Sequence, residues 1–148
     1  MSAYKKILVA VDGSKTAAKG LREALRLAKR EGAKLVVLNV VNDYPAFAAT
    51  PEAPILVDLL PMLREGGKKI LARAAAAARK AGVRPVTVLR EIITGPAADA
   101  IVREARKQRA DLIVLGTHGR RGVRRLVLGS DAEQVVRTSR VPVLLVRA

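Results

Sequence analysis

The chain has 148 residues, half of them hydrophobic, which is enough to bury the core of one domain spanning residues 1–148. It contains no cysteine and only one histidine, which excludes disulfide frameworks, thiolate zinc sites and two-histidine metal sites. Its 28 basic and 13 acidic residues give a net charge of +15, which attracts polyanions. No apolar run approaches the roughly 18 residues of a membrane helix, so we expect a soluble, cytoplasmic protein without membrane contact.

Five short apolar runs recur along the chain and predict β-strands. They are residues 6–11, 35–40, 86–92, 112–115 and 143–146. Four of them are apolar almost throughout, as expected of strands that are covered by helices on both faces. The run at 86–92 alternates with polar residues, which is typical of a strand at the edge of a sheet.

The stretches between these runs have the apolar spacing of helices. We predict helices over residues 16–30, 61–80, 97–108 and 130–138. Gly32 and Gly82 follow the first two, where glycine commonly ends a helix, and Pro96 precedes the third. Residues 41–61 hold four of the seven prolines and are predicted to form one long flexible connection.

This alternation of strand and helix, joined by right-handed crossovers, predicts a doubly wound α/β fold. We expect a five-stranded parallel sheet in the order 3-2-1-4-5, flanked by four helices. Ligands of such sheets bind beyond the carboxyl ends of the strands at the switch point, here between the first and fourth strands. Residues 12–14 and 116–130 therefore form the two loops that line the expected site.

The second of these loops combines three features that suit phosphate groups. Its glycines permit close backbone approach, and its four arginines offer forked donors for phosphate oxygens. Gly129 and Ser130 open a helix, whose N-terminal N–H groups favour an anion. The loop lacks both the P-loop ending and the Gly-x-Gly-x-x-Gly fingerprint, so it predicts a phosphate cradle of another type.

The spacing in this loop resembles the ATP-binding motif of the universal stress protein family. Gly116 and Gly119 are separated by two residues, and nine more precede the Gly129-Ser130 pair. Residues 7–14, 111–119 and 140–146 resemble the opening strand and turn, the fourth strand and the closing strand of the same family. The resemblance covers nearly the whole chain and is weakest at 42–61. It implies a Rossmann-like fold of the adenine nucleotide alpha-hydrolase type, with ATP as the ligand.

The resemblance also implies how the base and ribose would be held. Asp12 would accept hydrogen bonds from the ribose hydroxyls. Val40 would hold adenine beside Ala10 and Val11. The residues alone offer a different role for Asp12, because an aspartate before Gly13 and Ser14 can simply shape an Asx turn.

The phosphates, by the same resemblance, would be held mainly by backbone groups. Gly116, His118 and Gly119 would wrap the ribose and phosphates through their main chain. Gly129 and Ser130 would bind the outer phosphates, with Arg120 nearby.

Asp131 departs from the family, which usually has a small apolar residue after the Gly-Ser pair. Its carboxylate would repel the phosphates or, alternatively, help to hold Mg²⁺ on the triphosphate. The residues Ser130 to Glu133 also fit a capping box at the start of the last helix.

Three functions of different classes follow from these features. The favoured one is an ATP-binding stress-response module whose liganded state is read by partner proteins that the sequence does not identify. The second is a slow ATP hydrolase, for which only Asp131 or His118 offers a candidate base. The third is a binder of anionic surfaces or nucleic acid; nucleic acid is disfavoured because aromatic residues and a recognition helix are lacking. We also expect a homodimer through residues 141–146, because this apolar edge strand would otherwise leave its backbone unpaired.

Overall fold

The computed structural model describes residues 2–42, 56–118 and 128–147, with side chains from residue 60 onward in the second segment. The strands are Lys6–Ala10 (β1), Lys34–Asn42 (β2), Pro85–Ile92 (β3), Leu112–Gly116 (β4) and Val143–Val146 (β5). The helices are Lys15–Glu31 (α1), Leu56–Lys80 (α2), Ala97–Gln108 (α3) and Ser130–Thr138 (α4). None of these helices combines the length and the apolarity needed to cross a membrane.

The strands form one parallel sheet in the order β3-β2-β1-β4-β5, which confirms the predicted fold class. β1 lies in the centre, where Ile7 is in register with Leu35 of β2 on one side and with Leu112 of β4 on the other. β3 pairs with β2 alone and β5 with β4 alone, so these two strands form the edges.

The sheet separates two apolar clusters. Ile7 and Val9 of β1 face the side covered by α1 and α2, where they join residues such as Leu25. Leu8, between them in sequence, faces the side covered by α3 and α4. Because both faces of the central strands are buried, their sequences are apolar at nearly every position instead of at alternate ones.

The predicted connection at residues 41–61 is shorter in the structure than the sequence suggested. β2 continues to Asn42, and α2 begins at Leu56, so Pro61 lies inside the helix. From sequence, the start of this helix was expected at about Pro61. That boundary was wrong by five residues. The remainder of the predicted connection, residues 43–55, lies outside the described part of the chain.

The parallel topology gives the sheet two chemically different edges. At the carboxyl edge, where the strands end, the helices begin and present unpaired N–H groups. At the amino edge, where the strands begin, the helices end and present carbonyl oxygens. Both loops predicted to line the ligand site belong to the carboxyl edge.

Candidate functional site

The turn after β1 is held in a fixed shape by its own hydrogen bonds. Asp12 Oδ1 accepts a hydrogen bond from the Ser14 N–H at 2.9 Å, which is the Asx turn that the residues suggested. Gly13 has a φ of +85°, a conformation that glycine adopts without strain. Ser14 is the N-cap of α1, and its hydroxyl accepts a hydrogen bond from the Ala17 N–H at 3.1 Å. The turn thus fixes the half-buried Asp12 at the mouth of the switch point between β1 and β4.

Asn39 supports this turn from below, and the sequence analysis missed it. Its side chain is buried in β2, and Nδ2 donates a hydrogen bond to the Val11 carbonyl oxygen at 2.8 Å. The Val11 N–H in turn donates to the Leu38 carbonyl oxygen at 2.8 Å, so residues of β2 bond both the N–H and the carbonyl oxygen of Val11. An amide in the otherwise apolar run 35–40 was the available signal, because buried polar groups need partners.

The apolar wall expected for adenine contains two of its three predicted residues. Ala10 and Val40 are half-buried and pack against the apolar cluster beneath α3 and α4. Val11 is buried in the opposite cluster, beneath α1 and α2, because successive side chains of a strand face opposite sides of the sheet. The structure therefore does not place the Val11 side chain beside Ala10 and Val40.

An ion pair stands beside this wall. Arg90, the register neighbour of Val40 on β3, donates hydrogen bonds of 2.7 and 3.2 Å to the carboxylate of Glu104 on α3. Gln108 adds a third hydrogen bond of 2.8 Å. Burial acts to raise the pKa of Glu104, but the hydrogen bonds from Arg90 and Gln108 outweigh it, and its pKa lies below the ordinary value. The pair fixes α3 over β3 next to the site.

Gly116 ends β4 against helix α1. A Cβ atom at this position would lie 2.9 Å from the backbone carbonyl carbon and from Cγ2 of Thr16. The sequence analysis assigned this glycine to close approach by a ligand. The structure shows that its first requirement is the close packing of α1 on the end of β4.

Thr117 connects three parts of the site, and it was also missed from sequence. Its N–H donates to the Val146 carbonyl oxygen at 2.9 Å, and its own carbonyl oxygen accepts from the Gly129 N–H at 2.8 Å. Its hydroxyl lies 2.9 Å from His118 Nδ1, whereas the buried Nε2 of His118 has no partner among the described residues. Thr117 thereby fixes the start of α4 against the end of β4.

Helix α4 begins at this junction without a side-chain cap from the described residues. Its N-cap is Gly129, where a Cβ would lie 2.9 Å from the Thr117 carbonyl oxygen. The predicted capping box from Ser130 to Glu133 is therefore wrong, because Ser130 is the first helical residue instead of the cap. The first turn of α4 therefore carries the positive end of a helix dipole, which in general favours an anion.

Asp131 belongs to α4, but its side chain is hydrogen-bonded to α3. Its Oδ1 accepts a hydrogen bond of 3.3 Å from the Ala98 N–H in the first turn of α3. Gln134 and Asp99 form a second side-chain hydrogen bond of 3.2 Å between the same two helices. Asp131 thus supplies an acceptor that α3 lacks, because the N-cap of α3 is Pro96, which has no side-chain oxygen.

Some of the predicted site falls outside the described residues. Gly119 and Arg120, with the rest of residues 119–127, belong to this group. Within the described segments, no group of three or more histidine, aspartate or glutamate side chains could hold a metal ion. The described site is therefore built mainly from backbone groups, with Asp12 as its carboxylate.

Comparisons with known proteins agree with this architecture. The model of the universal stress protein family matches residues 3–147. A universal stress protein of Methanocaldococcus jannaschii is 35% identical over 144 residues, which cover 97% of this chain and 82% of the relative. The structure of a protein of this family from Burkholderia pseudomallei has a TM-score of 0.81 and 36% identity, covering 100% of this chain and 99% of that chain. A universal stress protein of Archaeoglobus fulgidus in complex with dAMP has a TM-score of 0.69 and 26% identity, covering 97% and 98% respectively.

Proposed function

The chain belongs to the universal stress protein family, and from this we propose that it binds ATP at the carboxyl edge of its sheet. In this proposal it is a nucleotide-dependent binding module of the stress response, acting in the cytoplasm, where ATP is abundant. Partner proteins would recognise the nucleotide-bound state.

One observation carries the proposal: α4 opens at the switch point with no side-chain cap from the described residues. By contrast, the Ser14 hydroxyl already accepts a hydrogen bond in the first turn of α1. Uncapped N–H groups at a helix N-terminus are a natural site for phosphate oxygens. The outer phosphates would lie against Gly129 and Ser130, and the Thr117 carbonyl oxygen keeps this end of α4 in place.

The base and ribose would occupy the other half of the crevice. Ala10 and Val40 offer an apolar surface to a base, and Asp12 offers a carboxylate to the ribose hydroxyls. The related structure from Archaeoglobus fulgidus holds an adenine nucleotide, dAMP, which supports adenine as the base. An apolar wall suits adenine better than guanine, whose carbonyl oxygen would lose its hydrogen bonds there.

The test is to identify what the purified protein retains and what it binds. Mass spectrometry of the nucleotide released on denaturation should identify an adenine nucleotide. Titration calorimetry with ATP and GTP, each with and without Mg²⁺, should then give a several-fold preference for ATP. Equal affinity for both nucleotides would contradict the proposed base site, and no binding of either would contradict the proposal as a whole.

We further propose that two copies pair through β5. The four residues of β5 are apolar and half-buried, and β4 is their partner on one side only. Leu144 packs toward the cluster beneath α1, and Leu145 toward the cluster beneath α4. Antiparallel pairing with a second β5 would satisfy the exposed edge and bury both apolar rows.

Light scattering on Leu145→Asp tests this pairing. We expect the unmodified protein to be a dimer at micromolar concentration and the variant to be a monomer. Val136→Asp is a matched control, because Val136 is an exposed apolar residue of α4 and lies outside β5. A monomeric unmodified protein would refute the pairing, as would a folded Leu145→Asp variant that still dimerises.

A further inference from the structure

The positive charge of the protein is concentrated at the edge opposite the proposed nucleotide site. We define the amino-edge surface as residues 2–6, 29–34, 79–85, 106–111 and 137–142, where helices end and strands begin. These segments contain 13 of the 28 basic residues and two of the 13 acidic residues. They therefore carry a net charge of +11 out of the total of +15.

The two acidic residues of this surface are engaged inside the fold. Asp111 accepts hydrogen bonds from the N–H groups of Lys5 and Lys6, at 2.8 and 3.1 Å. Glu31 accepts from the Ala3 N–H at 2.7 Å and lies 3.5 Å from Nε of Arg30. Their carboxylates fix the N-terminal segment and the end of α1, and they leave most of the cations of the surface unneutralised.

At this surface an exposed cation lies at the first residue of each strand or within three residues before it, and we call these five residues the row. In sheet order the row is Arg84, Lys34, Lys5, Arg109 and Arg140. None of the five forms an ion pair with an acid in the described part of the chain. Since neighbouring strands lie about 4.8 Å apart, the row is about 19 Å long.

Cations at helix ends are common because they complement the helix dipole, and this explains only part of the surface. Lys29, Arg79 and Lys107 are in the last turns of helices and fit that role. Lys34 and Arg84 are at or beside the first residue of a strand, where no helix dipole calls for a cation. Arg79 and Arg84 also line an open cavity of about 370 Å³, which gives the surface a concave part.

The composition of the surface selects among polyanions. Of the large hydrophobic residues exposed in the described part of the chain, Met62 and Ile93 lie outside its segments and Val86 and Val136 only adjoin them, so the surface offers little of the apolar contact that strengthens binding to membranes. Its one aromatic residue, Tyr4, packs against the core, so stacking on unpaired bases is not offered. What remains is an array of exposed cations suited to phosphates alone.

We propose that the amino-edge surface binds the phosphate backbone of double-stranded nucleic acid without reading its sequence. A duplex carries one negative charge per roughly 1.7 Å, so a length equal to the cation row carries about eleven charges. Non-specific binding of this kind needs backbone contacts alone, and the recognition helix that was missing from the sequence is not required. The proposal is independent of the nucleotide site, which lies at the other edge of the sheet.

The experiment compares two triple variants that remove the same charge. One changes the row itself, as Lys34→Gln, Arg84→Gln and Arg140→Gln. The control is Lys19→Gln, Arg22→Gln and Arg73→Gln, which alters exposed residues in the middle of α1 and α2. Circular dichroism verifies that both variants are folded. Binding to a DNA duplex of about two helical turns is measured by fluorescence anisotropy across a salt series.

For the unmodified protein we expect log K to fall with log salt with a slope of about −4.5, as five phosphate contacts predict. The row variant should bind at least about tenfold more weakly, with a slope smaller by about 3, and the control should change by less than about threefold. Equal losses in the two variants would overturn the proposal, because net charge alone would then explain binding. Tighter binding to vesicles of acidic phospholipid, or to a single strand of equal length, would overturn it as well.

Discussion

The two edges of the sheet bind anions, in our proposals, by opposite means. At the carboxyl edge the positive character comes from backbone N–H groups at the start of α4, held by the bond between Gly129 and Thr117. At the amino edge it comes from long side chains such as Arg84 and Arg140, which stand in solvent. Fixed backbone donors favour one small ligand in one orientation, whereas mobile cations favour an extended polyanion in many orientations.

The largest expected difference between the edges is in their response to salt. Between about 50 and 200 mM salt, a slope of about −4.5 predicts that duplex affinity falls roughly 500-fold, because counterions are released on binding. ATP affinity should change by less than about fivefold over the same range, since it depends on directed, partly buried donors that salt screens less. Parallel titrations of the same preparation measure both. Equal salt dependence would show that the nucleotide, too, is held by exposed side chains.

Between the two edges of the sheet, the charged carboxylate of Glu104 contributes to the stability of the fold and not to ligand binding. Because the pKa of Glu104 is lowered in the folded state, its ionised form stabilises the protein above the unfolded pKa of about 4.3. That stability is lost as the pH falls through the lower, folded pKa. We expect Glu104→Gln to lower the free energy of unfolding by about 2 kcal/mol at pH 7, with the difference narrowing below about pH 4.

Urea unfolding at the two pH values measures this effect. Glu91→Gln is the control, because Glu91 is exposed on β3 beside Arg90 and pairs with Arg64 at the surface, where an ion pair contributes less than about 1 kcal/mol. If Glu104→Gln lowers the free energy of unfolding equally at both pH values, the Glu104 carboxylate stabilises the fold by its packing and not by its charge.

Removal of a single backbone donor tests the carboxyl edge. Ser130 is the first residue of α4, where proline is compatible with a helix but has no N–H. The preceding Gly129 has a ψ of 147°, which a following proline also accepts. We expect Ser130→Pro to weaken ATP binding about tenfold, by loss of a hydrogen bond to a charged ligand, without loss of stability.

Ser130→Ala is its control, because it removes the hydroxyl and keeps the N–H. Calorimetry should give this variant less than about threefold weaker binding. If both variants bind ATP normally, the phosphates do not lie at the start of α4. Bulky replacements of Gly129 are less informative, because a Cβ there meets the Thr117 carbonyl oxygen at 2.9 Å with or without a ligand.

A smaller effect is expected from Asp131, one of two acidic residues in the first turn of α4. Asp131→Asn removes the charge and keeps an oxygen that can accept from the Ala98 N–H. Loss of a screened like charge should strengthen ATP binding by about 1 kcal/mol, roughly fivefold, in the absence of Mg²⁺. Asp131→Val would mix this gain with the loss of a hydrogen bond to α3. Weaker binding of the Asn variant both with and without Mg²⁺ would contradict repulsion.

Periodicity along the chain was sufficient to predict the strand order, because buried parallel strands and amphipathic helices leave strong, local signals. The same alternation places the Val11 side chain on the side of Ile7 and Val9, opposite Ala10. The side chains of the three residues predicted to hold adenine, Ala10, Val11 and Val40, therefore do not share one face of the sheet.

The bonding partners of other site residues had no local signal in the sequence. Three hydrogen bonds join segments that meet only in the folded chain. They run between Asn39 and Val11, between Thr117 and Gly129, and between Asp131 and α3. The concentration of charge at the amino edge is of the same kind. Its 13 cations are spread over five separate segments of the sequence, and they become one surface only because the strands are parallel.

The smallest expected effect concerns Arg109, whose backbone conformation is unfavourable for an arginine. Arg109 ends α3 with a φ of +54°, in the left-handed conformation that usually belongs to glycine at this position. Arg109→Gly should relieve this strain and stabilise the protein by about 0.5 kcal/mol, after the greater flexibility of glycine in the unfolded chain is deducted. Duplex affinity should fall about twofold to threefold, as one phosphate contact is lost.

Urea unfolding and anisotropy on the same variant measure the two changes, and Arg109→Lys, which keeps the charge and the strain, should show neither. If Arg109→Gly raises the stability and lowers the duplex affinity, the arginine is present at this position for its charge and not for its backbone conformation. A glycine variant that binds the duplex with unchanged affinity would remove Arg109 from the row.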